Sequence, residues 1–596
     1  MITREAILHI PKSNFSYAYD NQTLHMRIRT KKNEVKNAYL RIGDPYNWAK
    51  GGLDGGNLNG EDAQGWIGGG NYSMKKELET EYFDYWFCEY KPPKKRSRYA
   101  FILENEEEKI LVGEKRIEVL KENRDNEDIL SNLSNFFSFP YINSKDVLRG
   151  AEWAKNTIWY QIFPERFSNG NTEISPKEVK PWGTKPDRHN FMGGDLYGIY
   201  DKLDYLHELG ITGIYLCPIF YGKTNHKYDT VDYYEIDPHF GNKEIFKKLV
   251  EKAHSKGIKI MLDAVFNHVG SEHTFWLDVI ENRENSKYAK WFVINNFNSD
   301  GTIDYETFAN VKEMPKLNVE NPECREYLLQ VAEYWIKEFN IDGWRLDVCN
   351  EIDHKFWREF RERCKKIKED LYILGEIWHD SLPWLMGDQF DAVMNYPISD
   401  AILDFLNSDT WDGEKLRSSI NSAIVSYPRN VNEINFNLLD SHDTARALTI
   451  LKEDKEKLKL ALALMFFQNG SPCIYYGTEI GMSGDKHRDS EANRGCMVWD
   501  EKEQDKELLS FVKNLISMRK ENKEFQLNEV QWKFFNDKKV IALEKEGIIL
   551  IINSSNKTEN IEFSKEIIED LILKKKIELQ DRKLQISPKS FYILKK

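Results

Sequence analysis

The side chains best suited to chemistry gather in four short stretches, each at the end of an apolar run. They are Asp263-Ala264-Val265-Phe266-Asn267-His268, Gly343-Trp344-Arg345-Leu346-Asp347-Val348, Gly375-Glu376-Ile377-Trp378-His379 and Leu439-Asp440-Ser441-His442-Asp443-Thr444. A lone Asp in such a place reads as a cap or a structural salt bridge. Four clusters together read differently, because like charges gathered at one site cost stability unless function uses them. Two carboxyls with a guanidinium and imidazoles nearby can protonate a leaving oxygen and supply a nucleophile.

The elements that must position these groups form a repeating strand, loop and helix pattern from about residue 150. Apolar strand candidates are residues 157–163, 211–219, 258–266, 341–348, 371–377, 392–396, 434–439 and 472–476. Amphipathic helices lie between them, such as 245–255 and Pro322–Phe339, the latter opened by Asn321-Pro322 as a helix start. Eight buried-type strands alternating with helices predict an α/β chain with a (β/α)₈ TIM barrel, whose active site lies at the C-terminal strand ends. The interval between the third and fourth strands is longer than a βα unit needs. Residues of about 270–318 are therefore expected to form a small inserted domain within a barrel spanning 141–522.

Before the barrel, residues 1–140 read as an N-terminal β-sandwich. Short segments at 23–29, 37–42, 82–90 and 98–103 are rich in β-branched and aromatic residues, and a glycine-rich loop lies near 51–70. After a helix at 505–520, residues 523–596 return to short alternating strands and predict a C-terminal all-β domain.

Composition agrees with a multidomain globular enzyme. The 596 residues are 41% hydrophobic and 30% charged, enough for a large core. Sixteen Trp and 29 Tyr suit either a rich core or sugar faces, since pyranose C–H groups pack on flat rings. A net charge of −13 argues against a nucleic-acid partner. The start lacks a signal-peptide pattern, and there is no apolar run of about 18 residues to cross a membrane. Seven scattered cysteines, with no Cys-x-x-Cys, fit reduced thiols. Together these predict a cytoplasmic protein.

The four stretches resemble, in order, the signature regions of the α-amylase superfamily of glycoside hydrolases (family 13), and the likeness covers nearly the whole chain. The resemblance implies that Asp347 is the nucleophile, Glu376 the general acid/base and Asp443 the third carboxylate, holding sugar hydroxyls. It implies further that Arg345 sits beside the nucleophile and that His268 and His442 bind hydroxyls. Tyr228, in Asn225-His226-Lys227-Tyr228-Asp229, would stack under the cleaved sugar, Trp378 would also contact substrate, and Asp263 would be structural. Arg345 is expected to keep Asp347 ionised, and Glu376, beside Ile377 and Trp378, to carry the proton.

Three features resemble the neopullulanase, cyclomaltodextrinase and maltogenic amylase branch: Met314-Pro315-Lys316-Leu317-Asn318, the pair Asn350-Glu351, and the amino-terminal domain. The second implies that Glu351 helps handle α-1,6 as well as α-1,4 linkages. The third implies a starch-binding-like domain that closes a partner's groove in a homodimer. Tyr46, Trp48 and Trp66, near the glycine-rich loop, read as an exposed aromatic set, with a place in the sandwich core equally open for Trp66. Cyclodextrins, maltooligosaccharides, pullulan and starch are the implied substrates. The branch's Asp-Pro-x-Asn-Arg reads here as Ser490-Glu491-Ala492-Asn493-Arg494. Arg494 is kept to contact a carboxylate or hydroxyl, and Asp489 or Glu491 is left to replace the missing Asp. No cofactor is required by the carboxylate chemistry. The branch's calcium site is matched by Asn169, Asn171, Gly193 and Asp195, but Ile174 and Ser175 stand where further oxygens belong. Two rival readings remain, a transglycosylase or branching-type enzyme of the same superfamily and a non-catalytic amylase-fold binding protein. The second is disfavoured because all three carboxylates are present.

Overall fold

The computed structural model describes residues 1–47, 66, 68–121, 126–487, 491–563 and 567–595. The chain divides into two compact units, one of residues 1–149 and 414–432, the other of 150–413 and 433–596.

In the first unit, Leu24–Lys31 pairs antiparallel with Phe83–Tyr90, and Asn37–Gly43 with Ser97–Glu104. These pairs belong to separate four- and six-stranded sheets. Leu24, Met26 and Ile28 share one core with Leu40, Ile42, Tyr99, Phe101 and Leu103. That period of two is what strands burying one face require. The returning segment is part of this unit: Arg429 pairs with buried Glu77 at 2.9 Å, and Asn14 donates to the Val425 carbonyl.

The second unit is built on eight short parallel strands. They are β1 (Trp159–Ile162), β2 (Gly213–Leu216), β3 (Lys259–Ala264), β4 (Gly343–Leu346), β5 (Tyr372–Gly375), β6 (Ala392–Val393), β7 (Phe436–Asn437) and β8 (Ser471–Tyr475). Their order is β6-β5-β4-β3-β2-β1-β8-β7, and a parallel bridge between Met394 and Phe436 joins the two ends into a barrel. All eight lie within the segments predicted from sequence, give or take one residue. Nearly every strand residue is buried, because the barrel interior packs one face and the helices cover the other. The helix Pro322–Phe339 begins as expected, with the Asn321 side chain accepting from the Glu323 and Cys324 amides.

Between β3 and β4 lie a helix, Thr274–Asn282, and a small hairpin of Ile294–Phe297 and Ile303–Tyr305. A second hairpin, Phe220–Gly222 with Thr230–Ile236, follows β2. After the last helix, Lys506–Glu521, the chain forms a six-stranded sheet and a two-stranded one around Val540, Ile551, Ile586 and Leu594. Among the described residues no helix is long and apolar enough to cross a membrane.

Candidate active site

The parallel ladder sets the carboxylates level with one another. Ala264 pairs with Leu346, and Leu346 with Gly375. The pattern runs one residue further, with Asp347 N donating to Ala264 O and Glu376 N to Leu346 O. Asp347 and Glu376 therefore stand side by side just past the C-terminal ends of β4 and β5, where barrel active sites lie.

One buried guanidinium organises them. Arg345 Nη1 donates to Asp347 Oδ1 at 2.8 Å and to both Asp263 oxygens at 3.1 Å, and Nη2 lies 2.9 Å from Glu376 Oε1. Glu376 Oε2 accepts from the Val348 amide at 3.0 Å, while Trp378 Nε1 donates to Oε1 at 3.3 Å. Asp347 Oδ2 is buried and has no hydrogen-bond partner. One oxygen of this carboxylate is thus fixed and the other is uncommitted.

Three carboxylates around one cation leave an excess of negative charge. Burial pushes Asp347 well above the ordinary carboxyl range; Arg345 opposes this, while Glu376 and Asp263 add to it. Arg345 acts on Asp347 in the expected direction, while burial and the two neighbouring carboxylates act against it. Asp263 is also raised, by burial, against Arg345. It accepts from the Tyr215 and Tyr228 hydroxyls at 2.6 and 2.9 Å, a bonded and fully enclosed position.

Asp443 belongs to a second, more cationic group. His442 Nε2 lies 2.9 Å from Asp443 Oδ2, while Lys486 and Arg494 approach Oδ1 at 3.2 and 3.3 Å. Burial is the largest single influence and works against the charged His442 ring, but Asp443 and, after it, Cys217 together lift the imidazole to about 9. Burial likewise opposes the Asp443 charge, and the cations, His442 foremost, hold it well below its usual range. Tyr228 joins the two groups. Its ring lies parallel to His442, and its hydroxyl is 2.6 Å from Nε2. Arg494 also donates to Glu491 Oε1 at 3.0 Å, so Glu491 stands beside this arginine, whereas Asp489 and Ser490 lie outside the described residues.

The remaining predicted residues fall around this centre. His268 is buried against Phe308, and burial together with Lys316 lowers it to about 3, so it is a neutral imidazole. Trp378 stacks on Tyr396 and is 50% exposed, presenting an open aromatic face. Glu351 is exposed, and its Oε2 meets Lys316 Nζ at 3.1 Å. Lys316, which the sequence marked only as part of a motif, also donates to Asn267 Oδ1 and so ties the inserted segment to the β3 end. Val348 was missed altogether. It has φ 45°, unusual for a β-branched residue, and this turn aims its amide at Glu376.

Asn169, Asn171, Gly193 and Asp195 do come together. Asp195 accepts from the Gly170, Asn171 and Gly198 amides, and Asn171 from Glu173. Asn169 Oδ1, by contrast, is buried without a partner, which fits a cation. A hard cation takes six to eight oxygens, so waters would have to complete the shell. In the first unit, Tyr46 is 50% exposed, whereas Trp66 takes the core alternative: it is buried against Phe136, with Nε1 donating to Asp44 O. Trp48 lies outside the described residues.

A barrel with carboxylates at its C-terminal mouth and a β-domain at each end of the chain narrows the class, and comparison with known proteins completes it. Residues 161–533 match the α-amylase catalytic domain and residues 1–143 the α-amylase N-terminal ig-like domain. The chain belongs to the α-amylase family. Within that family it is a glycoside hydrolase of the cyclomaltodextrinase, maltogenic amylase and neopullulanase type. It is 48% identical to a cyclomaltodextrinase of Geobacillus thermopakistaniensis over 566 residues, covering 94% of this chain and 92% of the relative. It is 44% identical to an intracellular maltogenic amylase of Bacillus subtilis, covering 93% and 92%. A solved cyclomaltodextrinase structure superposes with a TM-score of 0.89 at 41% identity, over 100% of both chains.

Proposed function

We propose that the protein hydrolyses α-1,4 glucosidic bonds, and α-1,6 bonds in the same groove, in cyclodextrins, maltooligosaccharides, pullulan or starch, with retention of configuration. The observation that carries this reading is the division of labour within Asp347: Oδ1 is held by Arg345, and Oδ2 is buried and free to attack. In the first step Glu376 gives its proton to the glycosidic oxygen as Asp347 Oδ2 bonds to the anomeric carbon and the leaving sugar departs. In the second, Glu376 takes a proton from water, which displaces Asp347 and restores the acid. A sugar hydroxyl in place of water gives transglycosylation.

His442, charged, and His268, neutral, offer different hydrogen-bonding partners to sugar hydroxyls, and Asp443 accepts from them. Tyr228 and Trp378 offer aromatic faces to the sugar rings.

The relative's name places the Bacillus subtilis protein inside the cell, and the same cytoplasmic compartment is proposed here. A homodimer formed through the N-terminal domain is proposed on the branch resemblance. Calcium, where bound, would be held by Asn169, Asn171, Gly193 and Asp195; it would stiffen that loop and take no part in the chemistry.

The deciding experiment follows proton NMR of the anomeric signals during cleavage of β-cyclodextrin, pullulan and soluble starch in parallel. The α-anomer is expected first. A β-anomer as first product would overturn the nucleophile assignment.

A further inference from the structure

At the other end of the barrel from the carboxylates, a cavity of about 410 Å³ opens beside the N-terminal ends of β1, β2 and β3. Trp153, Lys259, Arg519, Lys520, Lys523 and Gln526 line it, and none of its described lining residues is acidic. In a chain of net charge −13, four cations around one hollow are against the overall trend.

These cations are poorly neutralised. Arg519 is buried, yet its guanidinium meets only the backbone carbonyls of Phe466, Gln468 and Gly470. Those three carbonyls fix its position without cancelling its charge, and burial draws it down to about 10. Lys545, buried nearby with its Nζ donating to Asn469 Oδ1 and Phe525 O and lying over the Phe467 ring, is drawn well below the ordinary lysine range by burial and by Arg519. Lys520 and Lys523 are exposed and form no salt bridge among the described residues, Lys520 Nζ lying 3.4 Å from Gly210 O. Lys259 alone has a carboxylate, Asp342 at 3.1 Å. Uncompensated buried charge is costly, and an anion in the cavity would relieve it.

We propose that this hollow is a second binding site, for a phosphate group, free or carried on a sugar. Arg519, fixed by its carbonyl partners, contributes positive potential, while exposed Lys520 and Lys523 supply charge-assisted donors to the phosphate oxygens, with Gln526 as a neutral donor. Trp153 is half-buried at the edge and offers the flat apolar surface that a pyranose ring uses. A site so placed binds independently of the catalytic groove.

The test is titration calorimetry with inorganic phosphate and with glucose 1-phosphate, in chloride of matched ionic strength. The full-length enzyme is compared with Lys520→Ser/Lys523→Ser and with Trp153→Leu. Saturable one-to-one binding is expected, weakened about tenfold or more in the double lysine variant, whose turnover of maltotriose should be unchanged. Glucose 1-phosphate binding more tightly than phosphate, and falling to the phosphate level in Trp153→Leu, assigns a sugar phosphate. Equal affinities that both weaken in the lysine variant assign the phosphate group alone. No saturable heat from either probe, or the same affinity in the lysine variant, overturns the site.

Discussion

Replacing His442 by Gln tests the electrostatics of the site most directly. The imidazole is fully enclosed, and against that burial Asp443, with Cys217 adding to it, raises it from 6.5 to about 9. At about 1.4 kcal/mol per pH unit, that difference corresponds to ~3 kcal/mol of folded-state preference for the charged ring. Lys486 and Arg494 also touch Asp443 and take up part of the pairing when the ring is neutral, so ~3 kcal/mol is a ceiling. Because the folded value lies above that of the free side chain, this stability is fully present below pH 6.5. It declines above that and is gone once the pH has passed about 9. The assay is thermal unfolding of the enzyme and of His442→Gln between pH 6 and 10, alongside kcat/KM on maltotriose. For a unit of this size ~3 kcal/mol is worth only a few degrees, so the quantity to read is the difference between the two proteins, which cancels every other titration. That difference should be constant below pH 6.5 and shrink through about 9. The alkaline limb of kcat/KM near 9 should be absent from the variant. Parallel melting curves across the whole range would refute the ion pair.

Three further outcomes follow from the geometry. Glu376→Gln should lose several orders of magnitude in turnover of maltotriose but far less on maltosyl fluoride, whose leaving group needs little proton help; equal losses would assign Glu376 another role. Treatment with EDTA should leave kcat unchanged, since no step uses a metal; a loss restored by calcium would contradict this. Tyr46→Ser should lower the ratio of cyclodextrin to starch activity and weaken self-association in sedimentation, whereas an unaltered ratio in a protein that is monomeric throughout would end the dimer proposal. A point substitution is preferable to deleting residues 1–140, because deletion would strip Arg429 of Glu77 and uncover residues 414–432.

Much of this enzyme was legible in its sequence, and for a physical reason. Barrel strands are buried on both faces, so each announces itself as an apolar run, and each catalytic group must interrupt that run where the strand ends. Asp347, Glu376 and Asp443, the proposed catalytic groups, stood out in this way because charge at the end of a buried strand is rare without a use. The strands of the N-terminal sheets were legible from their β-branched and aromatic residues between polar or glycine-rich turns. What the sequence could not reveal depended on partners distant along the chain. Residues 414–432 read as part of the barrel, yet they pack with the N-terminal sheets through Glu77 and Asn14, over 300 residues away. Trp66 was open between surface and core, because its neighbours in sequence are polar and glycine-rich, and Phe136 decides its burial. That Arg345 is shared could not be read from its neighbour Asp347, since only the folded barrel brings Asp263 and Glu376 to the same guanidinium. The left-handed turn at Val348 leaves no mark in residue type, because a β-branched side chain disfavours it and only the surrounding structure holds it there. Sequence determined which groups are present and on which strand ends, whereas tertiary structure decided how many charges each one faces.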